Sequence, residues 1–208
     1  MEEIKNQIKI ARNERETGDP RKALEMFLNI NQSDLSETQI YDYLGELGLT
    51  YFHLQDFENA KKNFEIALEK AKTEGKISYQ ALFLRHLTKK EFNSDPQVLV
   101  KLSTQARELA EKADRKDLIW FDQGVISSLL ASNSNEEEIK KWFLIESKDL
   151  LEASREVKDE TAIWVWVTGM LIEKYQFDKD LSHLNLALLI SEKFNLERRI
   201  EQIKKLKN

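Results

Sequence analysis

The sequence predicts an all-α protein in which about five helical hairpins stack into a solenoid, closed by a C-terminal capping helix. Apolar residues recur at helical spacing along almost the whole chain, whereas the two-residue alternation of strands is scarce. The 208 residues include only six glycines and two prolines, which leaves little room for the many turns of a β-sandwich. Because turn signals follow one another at short intervals, each predicted helix is expected to lie antiparallel to the next.

Turn and capping signals divide the chain into predicted helices. Asp19–Pro20 and Asp95–Pro96 each predict a helix start, because aspartate caps a helix N-terminus and proline at the first helical position loses no hydrogen bond. Ser36–Gln39 fits a capping box, and tight turns are predicted at Gln55–Phe57 and Gln176–Asp178. The predicted helices lie near 3–17, 20–31, 37–54, 57–74, 77–92, 96–113, 116–131, 136–157, 160–175, 179–193 and 197–206.

One stretch, Tyr41–Glu74, shows a regular pattern of small and large residues. Its glycine allows the first helix to approach the second without an intervening Cβ atom, and its alanines do the same from the second helix. Its aromatic residues fill the space between hairpins. The pattern consists of Leu44, Leu47, Gly48, Tyr51, Ala60, Phe64 and Ala67. This spacing closely resembles that of the tetratricopeptide repeat family.

The other units share the pattern in part and vary in length. Small residues recur at corresponding positions, spaced between 36 and 45 residues apart, compared with about 34 in the basic repeat. These positions are Ala11, Gly48, Thr88, Gly124 and Gly169. The resemblance implies a right-handed α–α superhelix (solenoid) forming a single array over 1–208. Its units are expected near 4–37, 41–74, 77–113, 116–157 and 160–194, with a cap at 196–208.

The resemblance also implies a binding site in the concave groove, which the first helix of each hairpin lines. The N-terminal half of this groove is predicted to be basic and the C-terminal half apolar. Arginine pairs with carboxylates bidentately and buried aromatic side chains anchor interfaces, so we expect a protein or peptide partner with an acidic segment and an apolar anchor. In the alternative interpretation, Phe121 and Trp166 pack inside a tightly wound superhelix. The candidate binding residues are Arg12, Arg15, Leu49, Phe52, Arg85, Lys89, Phe121, Val125, Trp166 and Met170.

No pattern of catalytic or metal-binding residues emerges from the sequence. The three histidines, His53, His86 and His183, fall in different predicted units without ligand spacing. The sequence contains no His-Glu-x-x-His, no Gly-x-Ser-x-Gly and no phosphate-binding glycine loop. We therefore expect a binding scaffold or adaptor rather than an enzyme, with no catalytic residue, no metal site and no cofactor.

Three other functions compete with the adaptor: a structural self-association module that forms a homodimer, an RNA-binding helical repeat, and a hydrolase on a helical scaffold. The net charge of -5 argues against a nucleic-acid partner, because phosphate neutralisation drives such binding. No apolar run approaches the roughly 20 residues of a membrane span, and the N-terminus lacks a signal-type apolar stretch. A cytoplasmic location without a membrane partner is therefore expected.

Overall fold

The computed structural model describes residues 2–115, 118, 123–132, 134–156 and 160–207. Over these residues the chain forms α-helices, together with a 3-10 helix at Gln32–Asp34, and contains no strand. The all-α prediction is confirmed. The helices are α1 (Glu2–Thr17), α2 (Pro20–Leu28), α3 (Gln39–His53), α4 (Phe57–Thr73), α5 (Ile77–His86), α6 (Pro96–Lys112), α7 (Gln123–Ala131), α8 (Glu136–Glu156), α9 (Glu160–Asp178), α10 (Leu181–Lys193) and α11 (Glu197–Lys207).

The helix starts follow the capping signals in the sequence. The Asp19 carboxylate accepts a hydrogen bond from the Arg21 backbone N–H at 2.8 Å, and proline occupies the first helical position of α2. The predicted capping box before α3 is also present. The Ser36 N–H donates to Gln39 Oε1 at 2.9 Å, while the Gln39 N–H donates to Ser36 Oγ at 3.4 Å. Each of these bonds satisfies a backbone donor that the helix itself leaves unpaired.

Several helices end in a residue with left-handed backbone conformation. After α3, Gln55 has φ of 62° and the Asp56 N–H donates to the Tyr51 carbonyl at 3.0 Å. This six-to-one bond defines the Schellman motif, which satisfies the last carbonyls of a helix. Such a helix end makes a tight turn, and in this chain it is formed by residues other than glycine as well. The other residues of this conformation are Gly75, Asp114, Lys179 and Asn195.

Two predicted boundaries are wrong. The helix expected over 77–92 ends at His86, and residues 87–92 form turns. This segment contains neither glycine nor proline, so nothing in the sequence marks the break. The turn predicted at Gln176–Asp178 lies inside α9, because Phe177 packs against Phe143 with ring centroids 5.9 Å apart and extends the helix. The chain turns instead at Lys179.

The chain divides into two compact units, Met1–Leu87 and Thr88–Asn208, which we call the N-terminal and C-terminal units. The prediction of one continuous array over 1–208 stays a prediction. In the N-terminal unit each helix packs against the next, and α1 also packs against α3. A Cβ atom added to Gly48 would lie 2.5 Å from the Phe64 ring, so the predicted role of this glycine in close packing is confirmed. The largest fully buried side chains of this unit are Phe27, Tyr41, Tyr43, Phe64 and Phe83.

In the C-terminal unit, α7 packs against α6, α8 and α9, and α9 packs against α8, α10 and α11. Gly124 on α7 lies against the Thr88 carbonyl, where a Cβ atom would overlap the backbone. In α11, Ile203 is fully buried while the lysines of the last turn face solvent. Across the described part of the chain, no helix has both the length and the apolar character of a membrane span. The central core consists of Leu99, Val125, Ile126, Leu129, Ile139, Trp142 and Phe143.

Candidate functional site

The two predicted arginines of α1 form ion pairs within the N-terminal unit. Arg15 is 5% exposed, and it donates to Glu46 Oε2 at 2.6 Å and to Glu16 Oε1 at 2.9 Å. Arg12 is exposed and lies 3.3 Å from Glu16 and 3.7 Å from Glu46. These contacts join α1 to α3, so both guanidinium groups already face carboxylates of the same chain. Arg15 in particular is a structural link and lies outside the solvent-facing surface.

The other predicted residues of this unit differ in exposure. Leu49 and Phe52 on α3 are half-buried, whereas Arg85 on α5 is buried. Near Leu49 in sequence, Asp42 has its pKa raised by partial burial, while the positive charges of Lys5 and Arg12 act in the opposite direction. The part of the predicted N-terminal surface that reaches solvent therefore combines Arg12 with Leu49 and Phe52.

In the C-terminal unit the described residues of the predicted apolar surface are buried or half-buried. Val125 is fully buried in the central core. Trp166 and Met170 are half-buried and pack against a cluster around Leu150 and Ile163. Lys89 is partly exposed, and Phe121 lies outside the described residues.

A buried carboxyl group lies between α7 and α9. Burial raises the pKa of Glu173 to about 8, against the effects of the Ser127 hydroxyl and of Arg199 and Lys90. Ser127 Oγ donates to Glu173 Oε1 at 2.6 Å, whereas Oε2 has no hydrogen-bond partner among the described residues. Arg199 is partly buried and donates to the Val165 carbonyl at 3.1 Å, and burial lowers its pKa. The interior of this unit thus contains a group that titrates near neutral pH.

An open groove with a volume of about 310 Å³ lies between α6 and α8 in the C-terminal unit. Its residues from each helix follow helical spacing, so they occupy one face of α6 and one face of α8. We call it the α6–α8 groove. It is lined by Val100, Thr104, Arg107, Glu108 and Glu111 of α6 and by Glu138, Lys141, Trp142 and Ile145 of α8.

The floor of the α6–α8 groove is apolar and continuous with the central core. Trp142 is 4% exposed and belongs to the core cluster, and Val100 and Ile145 are partly buried against the same cluster. Because these side chains pack on a close-packed interior, the floor is held rigidly by the fold.

A bidentate ion pair joins the two walls. Arg107 donates through Nη2 to Asp149 Oδ1 at 2.9 Å and through Nη1 to Asp149 Oδ2. Asp149 is nearly fully buried, whereas Arg107 reaches the groove surface. The planar geometry of such a pair fixes the position of α6 relative to α8. It also neutralises the Arg107 charge.

The remaining charges leave the groove acidic. Glu108, Glu111 and Glu138 make no ion pair with any described residue, and the same holds for Lys141. Three carboxylates therefore face one ammonium group, a local excess of two negative charges. Nowhere in the described ranges do three or more His, Asp or Glu side chains come together as a metal site.

No protein-family model, no curated protein and no solved structure matches this chain. The structure defines the class of an all-α protein with packed helices. Its candidate site is the α6–α8 groove, and none of the residues that line this groove was predicted from the sequence as a site residue.

Proposed function

We propose that this chain is a protein- or peptide-binding scaffold of tetratricopeptide-like hairpins, and that the α6–α8 groove is one of its binding sites. The observation that carries the proposal is the groove itself, with a Trp142 floor and charged rims. Apolar concavities with a few polar groups at the edge are typical of ligand sites, and buried aromatic residues anchor most interfaces. No catalytic role is part of the proposal.

Packing within each unit supports the repeat architecture. In the N-terminal unit, α1 packs against α3, and in the C-terminal unit, α7 packs against α9 and α9 against α11. These are contacts between alternate helices, which stacked hairpins require because each hairpin buries its apolar face against the next. The exposed part of the predicted concave surface, Arg12 with Leu49 and Phe52, is a second candidate contact area in the N-terminal unit.

Filling the groove tests the proposal. Thr104 is an exposed groove residue, and Thr161 is an exposed threonine of the same unit outside the groove. Thr104→Trp should abolish capture of a partner that wild type and Thr161→Trp both retain from cell lysate, once circular dichroism shows equal helix content. If Thr104→Trp captures the same proteins in the same amounts, the groove is not a binding site.

Exposed leucines on α10 favour the alternative function of self-association. Leu181, Leu186 and Leu189 are 55%, 47% and 64% exposed, and apolar side chains grouped on an exposed surface mark interaction sites. Sedimentation velocity over a range of concentrations distinguishes the two functions. A dimer that dissociates in Leu189→Glu supports self-association, whereas a monomer at all concentrations excludes it.

A further inference from the structure

Some acidic residues of α8 outside the α6–α8 groove form ion pairs along the helix. On α8, Glu136 lies 2.5 Å from Lys140 and Glu152 lies 3.8 Å from Lys148, both as i,i+4 pairs. Such pairs are the usual arrangement on an exposed helix face. Glu138 of the same helix forms no ion pair with a described residue, and neither do Glu108 and Glu111, the groove carboxylates of α6. The groove therefore carries carboxylates that no described basic side chain neutralises.

The carboxylates stand on both rims of an apolar floor. Glu108 and Glu111 project from α6, and Glu138 projects from α8. The volume of about 310 Å³ lies at the lower end of ligand sites, which span roughly 300–1,000 Å³. This volume is enough to take in one or two side chains of a partner.

We infer that the α6–α8 groove binds a basic segment of a protein partner, by taking in an arginine or lysine side chain next to an apolar residue. This inference rests on the proposed function and specifies the chemistry of its partner. The aliphatic stem of the basic side chain packs on Val100 and Ile145, and its charge faces the rim carboxylates. Arginine fits better than lysine, because its planar group can bridge carboxylates from α6 and α8.

Charge complementarity selects this occupant over others. The local excess of two negative charges repels nucleic acids and anionic lipid surfaces, since both present phosphate groups. An acidic peptide is repelled for the same reason. Lys141 is a positive charge of the rim that no described carboxylate neutralises, so it limits affinity for a basic segment.

Selection from a random peptide display library on the intact protein tests the inference. Wild type should enrich peptides in which arginine or lysine adjoins an apolar residue, and Thr104→Trp should enrich none of them. If the peptides lost by Thr104→Trp are acidic or uncharged, the groove binds peptides but the inferred chemistry is wrong. If Thr104→Trp enriches the same peptides as wild type, or if wild type enriches none, both the inference and the proposed function of the groove fail.

Fluorescence anisotropy with one enriched, labelled peptide then measures how much each charged side chain of the groove contributes to the binding affinity. Glu111→Gln and Glu138→Gln should each weaken binding by roughly twofold to fivefold, the range for exposed ion pairs. Lys141→Glu should strengthen binding by a similar factor and steepen its salt dependence. The control is Glu136→Gln, at a residue of α8 that already pairs with Lys140. Equal affinities for all four variants would overturn the inference even if the peptide is basic.

Discussion

Replacing Glu173 with glutamine tests whether a titratable group inside the C-terminal unit controls the stability of the chain. The substitution keeps an oxygen that can accept the hydrogen bond from the Ser127 hydroxyl, and it removes the titratable carboxyl group. Burial raises the pKa of Glu173 to about 8, from an ordinary value of 4.5. Between these pH values the folded chain holds a proton that the unfolded chain has released. The free energy of unfolding therefore falls as the pH rises, and the full loss is present above the folded pKa.

The magnitude follows from the linkage of proton binding to folding. One pKa unit corresponds to about 1.4 kcal/mol. From pH 6 to pH 8 this carboxyl alone should lower the free energy of unfolding by about 2 kcal/mol, because the slope is almost complete at pH 6 and fades towards the folded pKa. Glu173→Gln lacks this slope. Its stability relative to wild type should therefore rise by the same amount over that pH range.

Urea unfolding followed by circular dichroism at several pH values measures the effect. Glu201→Gln, at an exposed position on α11, controls for the loss of one negative charge. Wild type and Glu201→Gln should share the same pH dependence, and Glu173→Gln should diverge from both. If the free energies of all three proteins change in parallel between pH 6 and pH 8, Glu173 does not retain its proton in the folded chain.

Three further predictions concern stability. Gly48→Ala should destabilise the chain by about 1–3 kcal/mol through overpacking. Gly45→Ala on the same helix should stabilise it by up to about 1 kcal/mol, because the added methyl group meets only ordinary van der Waals contacts there. If thermal denaturation shows equal shifts in melting temperature for the two variants, the packing explanation is wrong. Arg107→Ala should lower the free energy of unfolding in urea by about 3 kcal/mol, since it removes the bidentate partner of the buried Asp149. A decrease below about 0.5 kcal/mol would show that the pair is not buried in solution. Gln55→Gly should raise the melting temperature slightly, because the left-handed conformation at φ of 62° costs a non-glycine residue about 1–2 kcal/mol. A lowered melting temperature would indicate that the added entropy of the unfolded chain outweighs the relief of backbone strain.

The hairpin of α3 and α4 could be predicted because its packing depends on residues close in sequence. Gly48 and Phe64 show the small and large positions directly, and the capping box at Ser36–Gln39 marks the start of α3. The end of α5 could not be predicted, because no glycine, proline or capping residue occurs where the helix stops. Turn residues such as Gln55 and Lys179 adopt positive φ angles, which their residue types do not predict.

The candidate site was less predictable, since it depends on contacts between distant residues. The sequence shows that Arg15 is basic, but not that Glu46, thirty-one residues away, neutralises it. Helical spacing alone places Val125 equally well on a groove or in the core, and the structure buries it. The α6–α8 groove depends on a pair separated by forty-two residues, Arg107 and Asp149, and no local pattern connects these two positions.

The ion pair and the groove are physically connected. A buried ion pair is weak evidence for stability, because the cost of removing both charges from water can exceed their attraction. Arg107 and Asp149 nevertheless fix the separation of α6 and α8 beside the groove, where the facing side chains leave about 310 Å³ open. A shape held by a rigid bidentate contact is organised before a ligand arrives, which reduces the entropy lost on binding. The pair therefore keeps the groove preformed, in addition to protecting the chain from an unpaired buried charge.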